Sequence, residues 1–181
     1  MDLLEFSDAA AWESWLARHH ADASEAWLRI AKRGSGTTTV AIGEALEVAL
    51  CWGWIDGQRR RHDEGSFAQR YCPRRPRSSW SQVNVAKVEA LTAAGRMRPP
   101  GLAQVAAAQA DGRWSAAYAS QRTAEVPPDL AAALAARPRA AAAFAGLGRS
   151  EQYQVILTLL KTRTDQGRRQ ALTRAIARLE E

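Results

Sequence analysis

Two strand-like runs on either side of a short turn set the main constraint on the fold. Residues 54–61 and 66–72 are typical of β-strands, and the stretch between them, residues 62–65 (HDEG), offers a glycine in a permissive turn position. This pattern predicts a hairpin, and Pro73 and Pro76 are expected to end its second strand because proline cannot donate to a sheet ladder.

The segments around the hairpin predict a small sheet set among helices. Residues 25–33 have strand character and end at Gly34-Ser35-Gly36, so the sheet is expected to hold the hairpin plus one or two strands. Apolar groups at helical spacing predict helices elsewhere. The predicted helices cover 8–19 with Ser7 as cap, 42–52 ending before Gly53, Ser79 (in a capping box with Gln82) to about Ala94, 102–110, 129–136, 138–145, 150–162 and 166–179.

The predicted fold class is therefore α+β and predominantly helical. A small antiparallel hairpin-containing sheet is expected in the N-terminal half, and an all-helical arrangement in the C-terminal half. A composition shift near residue 100 suggests an α+β lobe over residues 1–98 that carries the Arg/Trp motif and a helical lobe over residues 99–181, integrated into one domain.

Composition excludes several classes of protein. Hydrophobic residues make up 46% of the chain, too many for an intrinsically disordered protein, and no apolar stretch reaches the ~20 residues of a membrane span. Asp2 and Glu5 stand where a signal peptide would carry basic residues, so a cytoplasmic location is expected. In that compartment Cys51 and Cys72 should be free thiols. Neither lies in a zinc-binding pattern, and no cofactor motif occurs, so no metal or cofactor is indicated.

Positive charge is concentrated in residues 58–77. This segment contains seven arginines and only two carboxylates, and it accounts for most of the net charge of +6. Arginine grips phosphate or carboxylate through two parallel hydrogen bonds, so the segment indicates an anionic partner, unless it is simply a solvated basic face. Its arginines are Arg59, Arg60, Arg61, Arg70, Arg74, Arg75 and Arg77, and the hairpin is expected to present Arg59, Arg61 and Arg70 on one face.

A candidate anion site follows from the position of these arginines. Arg74 and Arg75 come just before a helix whose cap is expected to be Ser79 or Ser81, and helix N-termini attract anions through their free N–H groups. Tryptophans nearby are candidates for the pocket wall or, alternatively, for core packing. The predicted ligand-binding residues are Arg70, Arg74, Arg75, Ser79, Trp80, Ser81, Asn84, Trp54 and Asp56, with Trp52 a further candidate for the wall and Asp56 alternatively a turn or salt-bridge residue.

Several motifs resemble one known family. The stretches ALCWGWIDG (49–57), RYCPRRPRSSWSQVN (70–84) and DGRW (111–114) are similar, in this order, to the YdeI/OmpD-associated (OmdA-type, bacteriocin-protection) family. The resemblance implies a bacterial protein, cytoplasmic or associated with the cell envelope, that is linked to resistance against bacteriocins and cationic antimicrobial peptides. The family commonly ends with a Lys-x-x-x-Thr-Arg pattern. Here Lys161 is present, but Asp165-Gln166 replaces the Thr-Arg. If that arginine contributes to a ligand site in the family, this protein either has lost it or uses Arg163, Arg168 or Arg169 instead.

Three functions remain open from the sequence. The first is a protective protein that binds an anionic small molecule or phosphate group in an Arg/Trp pocket. The second is binding of single-stranded nucleic acid, with Phe67, Tyr71 and Trp80 available for stacking between the arginines. The third, ranked last because no nucleophile–base pair can be recognised, is an enzyme acting on a nucleotide-like or acyl substrate with Asp56 or His62 as base.

Overall fold

A computed structural model describes residues 3–181, which form two compact units. The first unit consists of residues 3–78 and Asn84–Ala116, and the second consists of Ser79–Val83 and Ala117–Glu181. These units differ from the lobes expected at 1–98 and 99–181, because residues 99–116 belong to the first unit and residues 79–83 to the second. The fold class is α+β, and the C-terminal half is helical, as predicted.

The first unit is built around a four-stranded sheet in the order β1-β2-β4-β3. The hairpin of β3 and β4 is antiparallel, as is the pair of β2 and β4, so the predicted hairpin is confirmed. The two-residue strand β1 was not predicted; it pairs with β2 in parallel and makes the sheet mixed. The elements are β1 (Leu3–Leu4), α1 (Ala9–His19), β2 (Ala26–Ala31), α2 (Ile42–Cys51), β3 (Trp54–Arg61), β4 (Ser66–Pro73), α3 (Gln82–Ala93) and α4 (Pro99–Ala110).

Helices α1 and α2 pack their apolar sides on one face of the sheet. Trp12 of α1 is fully buried there, and its Nε1 donates a hydrogen bond to the backbone oxygen of Ala45 in α2 at 3.1 Å. Its ring lies 5.3 Å from the ring of Trp15 and 5.7 Å from that of Tyr71, measured between centroids. Trp12 therefore joins both helices and the sheet in a single core. The other buried members are Leu16, Ala26, Leu28, Ile30, Val40, Ala45, Val48, Ala49, Trp54 and Tyr71.

Two predicted helix caps are wrong. Asp8, not Ser7, caps α1: it stands directly before the first helical residue, and its Oδ1 accepts a hydrogen bond from the backbone N–H of Ala11 at 2.8 Å. Helix α3 begins at Gln82, so Ser79 lies too far upstream to cap it, whereas Ser81, the other predicted cap, stands directly before the first helical residue. The reason is that residues 80–82 pair with Tyr118, which accepts from the N–H of Gln82 and donates to the oxygen of Trp80.

Two glycines allow the start of α4 to approach the end of α2. Gly53 has a φ of +75°, which favours glycine, and it ends α2 as expected. Gly101 is buried against that end: a Cβ atom there would collide with the backbone oxygen of Cys51 and lie 2.8 Å from its carbonyl carbon. The same oxygen accepts a hydrogen bond from the N–H of Arg98 at 3.1 Å. Only a residue without a side chain fits at position 101.

Both cysteines are free thiols, as expected from the sequence. Cys51 is buried at the end of α2, and this burial raises the pKa of its thiol. The Cys51 thiol is therefore protonated at neutral pH and unreactive, because the thiolate is the reactive form.

The second unit is a group of four helices after a non-helical segment. Arg168 links three of these helices: it donates to both carboxylate oxygens of Asp129 at 2.7 and 2.8 Å and to the backbone oxygen of Leu159 at 3.0 Å. Among residues 3–181 no helix has the length and apolar character needed to cross a membrane. The helices are α5 (Pro128–Ala135), α6 (Pro138–Gly146), α7 (Arg149–Leu160) and α8 (Asp165–Glu180), and the prolines of α5 and α6 stand at first positions.

Candidate functional site

Two of the predicted pocket-wall tryptophans are buried. Trp54 is only 1% exposed, is part of the core of the first unit, and donates from Nε1 to the backbone oxygen of His20 at 3.3 Å. Trp80, in the second unit, is 2% exposed. Trp54 therefore packs in the core, which was the alternative to a place in a pocket wall.

The hairpin does not present Arg59, Arg61 and Arg70 on one face, so that expectation is wrong. Arg59 pairs with Gln69 across the hairpin, and Arg61 pairs with Phe67. Since side chains alternate along a strand, Arg70 points to the side opposite Gln69. There its Nε donates to the carboxylate of Glu25 at 2.6 Å. Arg60 shares this second face, where its guanidinium lies 4.8 Å from the ring centroid of Trp27.

Two buried arginines converge on Ser78. Arg74, at the end of β4, is 5% exposed and donates from Nη1 to the hydroxyl of Ser78 at 3.3 Å. Arg113, equally buried, donates from Nη1 to the backbone oxygen of Ser78 at 3.0 Å and from Nε to Asp111 at 2.8 Å. Arg113 was not predicted as a site residue. This arrangement joins the RYCPRRPRSSWSQVN and DGRW motifs within the first unit, and Arg75 beside it is exposed.

The two residues considered as alternative bases lie at different places in the hairpin, one on β3 and one at the turn. Asp56 lies on β3. Desolvation raises the pKa of its carboxyl, whereas a hydrogen bond from its own backbone and the positive charges of Arg74 and Arg59 lower it. His62 is exposed at the hairpin turn, with its Nε2 3.5 Å from the carboxylate of Asp63. Asn84 is half-buried on α3. The convergence of the nine predicted site residues on one anion stays a prediction, since three of them belong to the second unit.

A loop that the sequence analysis treated only as a strand terminator forms one wall of a cavity. This loop, residues 32–41, connects β2 to α2. Its base is fixed to the hairpin turn by Lys32, whose Nζ donates to the backbone oxygens of Asp63 and Glu64 at 3.2 and 3.0 Å. Its other end is fixed by Thr39, whose hydroxyl accepts from the N–H of Ala31 at 2.8 Å. The first end of the loop is therefore fixed to the hairpin turn, and the second end is fixed to the end of β2.

The cavity, which we call the loop cavity, has a volume of about 600 Å³. Its rim carries the cations Lys32, Arg33 and Arg59, and among the described residues that line it there is no carboxylate. Gly34 and Gly36 in the rim have φ angles of +80° and +74°. The lining residues are Ile30, Ala31, Lys32, Arg33, Gly34, Ser35, Gly36, Thr37, Thr38, Thr39, Val40, Ala41, Ile42, Arg59 and Phe67.

Arg59 is held in place from the opposite side of the loop cavity. Its Nε donates to the side-chain oxygen of Gln69 at 3.1 Å, and its guanidinium carbon lies 4.5 Å from the ring centroid of Phe67. Gln69 is itself buried and donates to the backbone oxygen of Gly57 at 3.1 Å, where the register of the hairpin shifts. Within the described part of the chain, both Nη groups of Arg59 are left without a hydrogen-bond partner.

Two models of known protein families match most of the chain. A family model described as a Domain of unknown function (DUF8412) matches residues 4–104, which is more than half of the sequence. The chain belongs to this family. A second model, described as Bacteriocin-protection, YdeI or OmpD-Associated, matches residues 123–181, so the resemblance predicted from the motifs is confirmed for the C-terminal part. No curated protein and no solved structure gives a match.

The two matches divide the motifs and the candidate sites differently from the sequence prediction. The motifs at 49–57 and 70–84 lie inside the DUF8412 match, and DGRW lies between the two matches. The loop cavity also lies wholly inside the first match. Within the second match, Arg168 forms an ion pair with Asp129. Of the three arginines that could replace the arginine of the family pattern, Arg168 therefore has a structural role in the helix group.

Proposed function

We propose that this protein binds an anionic small molecule in the loop cavity. The observation that carries the proposal is the charge of the lining, which includes Lys32, Arg33 and Arg59 and, among the described residues, no carboxylate. Like charges brought together around a cavity repel each other unless an anion joins them, so this arrangement favours a negatively charged occupant. This proposed site is distinct from the one predicted around Arg74 and Arg75, which stays a prediction.

The chemistry of the rim suits a phosphate or carboxylate group. Glycines with positive φ expose backbone N–H groups to a ligand, and the hydroxyls of Thr37 and Thr38 add further donors. Arg59 supplies a planar fork whose orientation Gln69 and Phe67 already fix, so little side-chain entropy is lost on binding. The cavity size falls in the range typical of small-molecule sites.

We also propose that binding serves a protective role against bacteriocins or antimicrobial peptides in the cytoplasm. Support for the role comes from the description of the family that matches residues 123–181. Binding of single-stranded nucleic acid is a weaker alternative, because Tyr71 and Trp80 are buried and Arg59 covers Phe67, so the aromatic rings offer little surface on which bases can stack.

Arg59→Gln is expected to weaken binding of inorganic phosphate by roughly ten- to a hundredfold, because a charge-assisted hydrogen bond contributes ~1.5–3 kcal/mol. Isothermal titration calorimetry at low salt measures the affinity. Arg61→Gln is the matched control: Arg61 is an exposed arginine two residues along β3, and it does not line the loop cavity. Equal losses in both variants would show that phosphate responds to the general charge of β3, and the site would be wrong.

Expression of the protein in a bacteriocin-sensitive strain is expected to raise survival, and Arg59→Gln is expected to reduce this protection because it removes ligand binding. Survival curves with matched expression levels, checked by immunoblot, measure the effect, and Arg61→Gln again serves as control. Full protection by a variant that no longer binds anions would separate the protective role from the loop cavity and refute their connection.

A further inference from the structure

The loop cavity is larger than an inorganic ion alone requires, with a volume of about 600 Å³. Besides the cationic rim, its lining includes two partly exposed apolar side chains, Ile42 and Phe67, which we call the floor; Ile30 and Val40, which also line it, are almost fully buried. A small ion at the rim would leave the exposed parts of Ile42 and Phe67 in contact with water. Resting on the proposed function, we propose that the ligand is a phosphate monoester whose body carries a flat ring, with the phosphate at the rim and the ring against Arg59 and the floor.

The position of Arg59 supports a flat ring rather than an alkyl chain. Phe67 lies under its guanidinium, with 4.5 Å between the guanidinium carbon and the ring centroid. A guanidinium plane stacks well on aromatic rings, and within the described residues Phe67 is the ring recorded against Arg59, so we place the ring of the ligand on the opposite face of the guanidinium. A ring placed there continues the stack of Phe67 and Arg59 and also covers part of the apolar floor.

The loop supplies the other half of the ligand site. Gly34, Gly36 and the hydroxyls of Ser35, Thr37 and Thr38 surround the rim, and Arg33 is exposed beside them with no ion pair in the described part of the chain. These groups donate hydrogen bonds, as a phosphate with its acceptor oxygens requires. A neutral ring compound would leave these donors unused, so both parts of the ligand are needed.

The experiment compares five compounds by calorimetry on the full chain: inorganic phosphate, ribose 5-phosphate, phenyl phosphate, adenosine monophosphate and adenosine. Phenyl phosphate and adenosine monophosphate are expected to bind about tenfold or more tightly than inorganic phosphate and ribose 5-phosphate, since stacking of one ring contributes on this scale. Adenosine should bind weakly or not at all. A preference for adenosine monophosphate over phenyl phosphate would identify nucleotides as the source of the ring.

Phe67→Leu tests the stack directly. This variant keeps an apolar floor but removes the ring under Arg59, so the ratio of the phenyl phosphate affinity to the inorganic phosphate affinity is expected to fall several-fold. The ratio is measured on one protein sample, so partial unfolding cancels. Arg61→Gln should leave it unchanged.

The outcomes separate the two proposals. Equal affinities for the four phosphates would overturn the ring-bearing ligand and leave anion binding in place. An unchanged ratio in Phe67→Leu would overturn the stack on Arg59. Absence of binding for every compound would overturn the proposed function together with this inference.

Discussion

Gly101→Ala is expected to destabilise the protein by about 3 kcal/mol or more, at the upper end of the range for overpacked sites. A Cβ at this position would meet the backbone of Cys51 and Leu50, and backbone atoms at a helix end cannot turn aside as a flexible side chain can. For a chain of this size the midpoint of thermal unfolding should fall by roughly 6–12 °C. Circular dichroism at 222 nm measures the transition.

Gly43→Ala is the matched control for this prediction. Gly43 lies in α2, and a Cβ there would have no heavy atom within 4 Å. Because alanine is a better helix former than glycine, this variant should be neutral or more stable by up to ~1 kcal/mol. If both variants unfold at the temperature of the parent protein, the ends of α2 and α4 are not in the close contact described above.

Trp12→Ala is expected to lower the free energy of unfolding by about 3–5 kcal/mol, as is usual for the loss of a large buried aromatic residue. The change removes the ring contacts with Trp15 and Tyr71 and the hydrogen bond from the indole to the backbone oxygen of Ala45. Urea unfolding followed by circular dichroism is the appropriate measurement, since the fluorescence of the protein changes with the substitution.

Trp12→Phe and Leu102→Ala serve as controls for the second prediction. Phenylalanine keeps part of the ring contact but cannot donate to Ala45, so an intermediate loss is expected. Leu102 is 44% exposed, and its truncation should change stability by less than about 1 kcal/mol. A loss in Leu102→Ala as large as that in Trp12→Ala would contradict the assignment of the core to α1, α2 and the sheet.

The regular elements could be predicted from local patterns, whereas contacts between distant segments could not. The hairpin is marked by a turn between two strand-like runs, and most helices have apolar groups at helical spacing and proline or glycine at their ends. Strand β1 has only two residues and forms through its pairing with β2, which no local pattern reveals. The start of α3 moved to Gln82 for the same reason, since pairing with Tyr118 keeps residues 80–82 out of the helix.

The site was harder to predict than the fold. Concentrated arginine drew attention to residues 58–77, but the sequence does not show that Arg74 is buried or that Arg70 is paired with Glu25. The loop at 32–41 has a composition that is typical of anion-binding loops. Between a strand and a helix it contains two basic residues, two glycines and four hydroxyl residues. The position of Arg59 across from it follows from the register of the hairpin, which a sequence leaves open.

The interleaving of the two units has a consequence for the order in which the chain acquires its structure during synthesis. Ser79–Val83 are made early but belong with Ala117–Glu181, and Asn84–Ala116 belong with the segment before them. Residue 116 must therefore leave the ribosome before the first unit is complete, and residues 79–83 wait for the rest of their unit until residues 117–181 have been made. Neither unit corresponds to one uninterrupted stretch of the coding sequence, so a single recombination point cannot exchange one unit and leave the other whole.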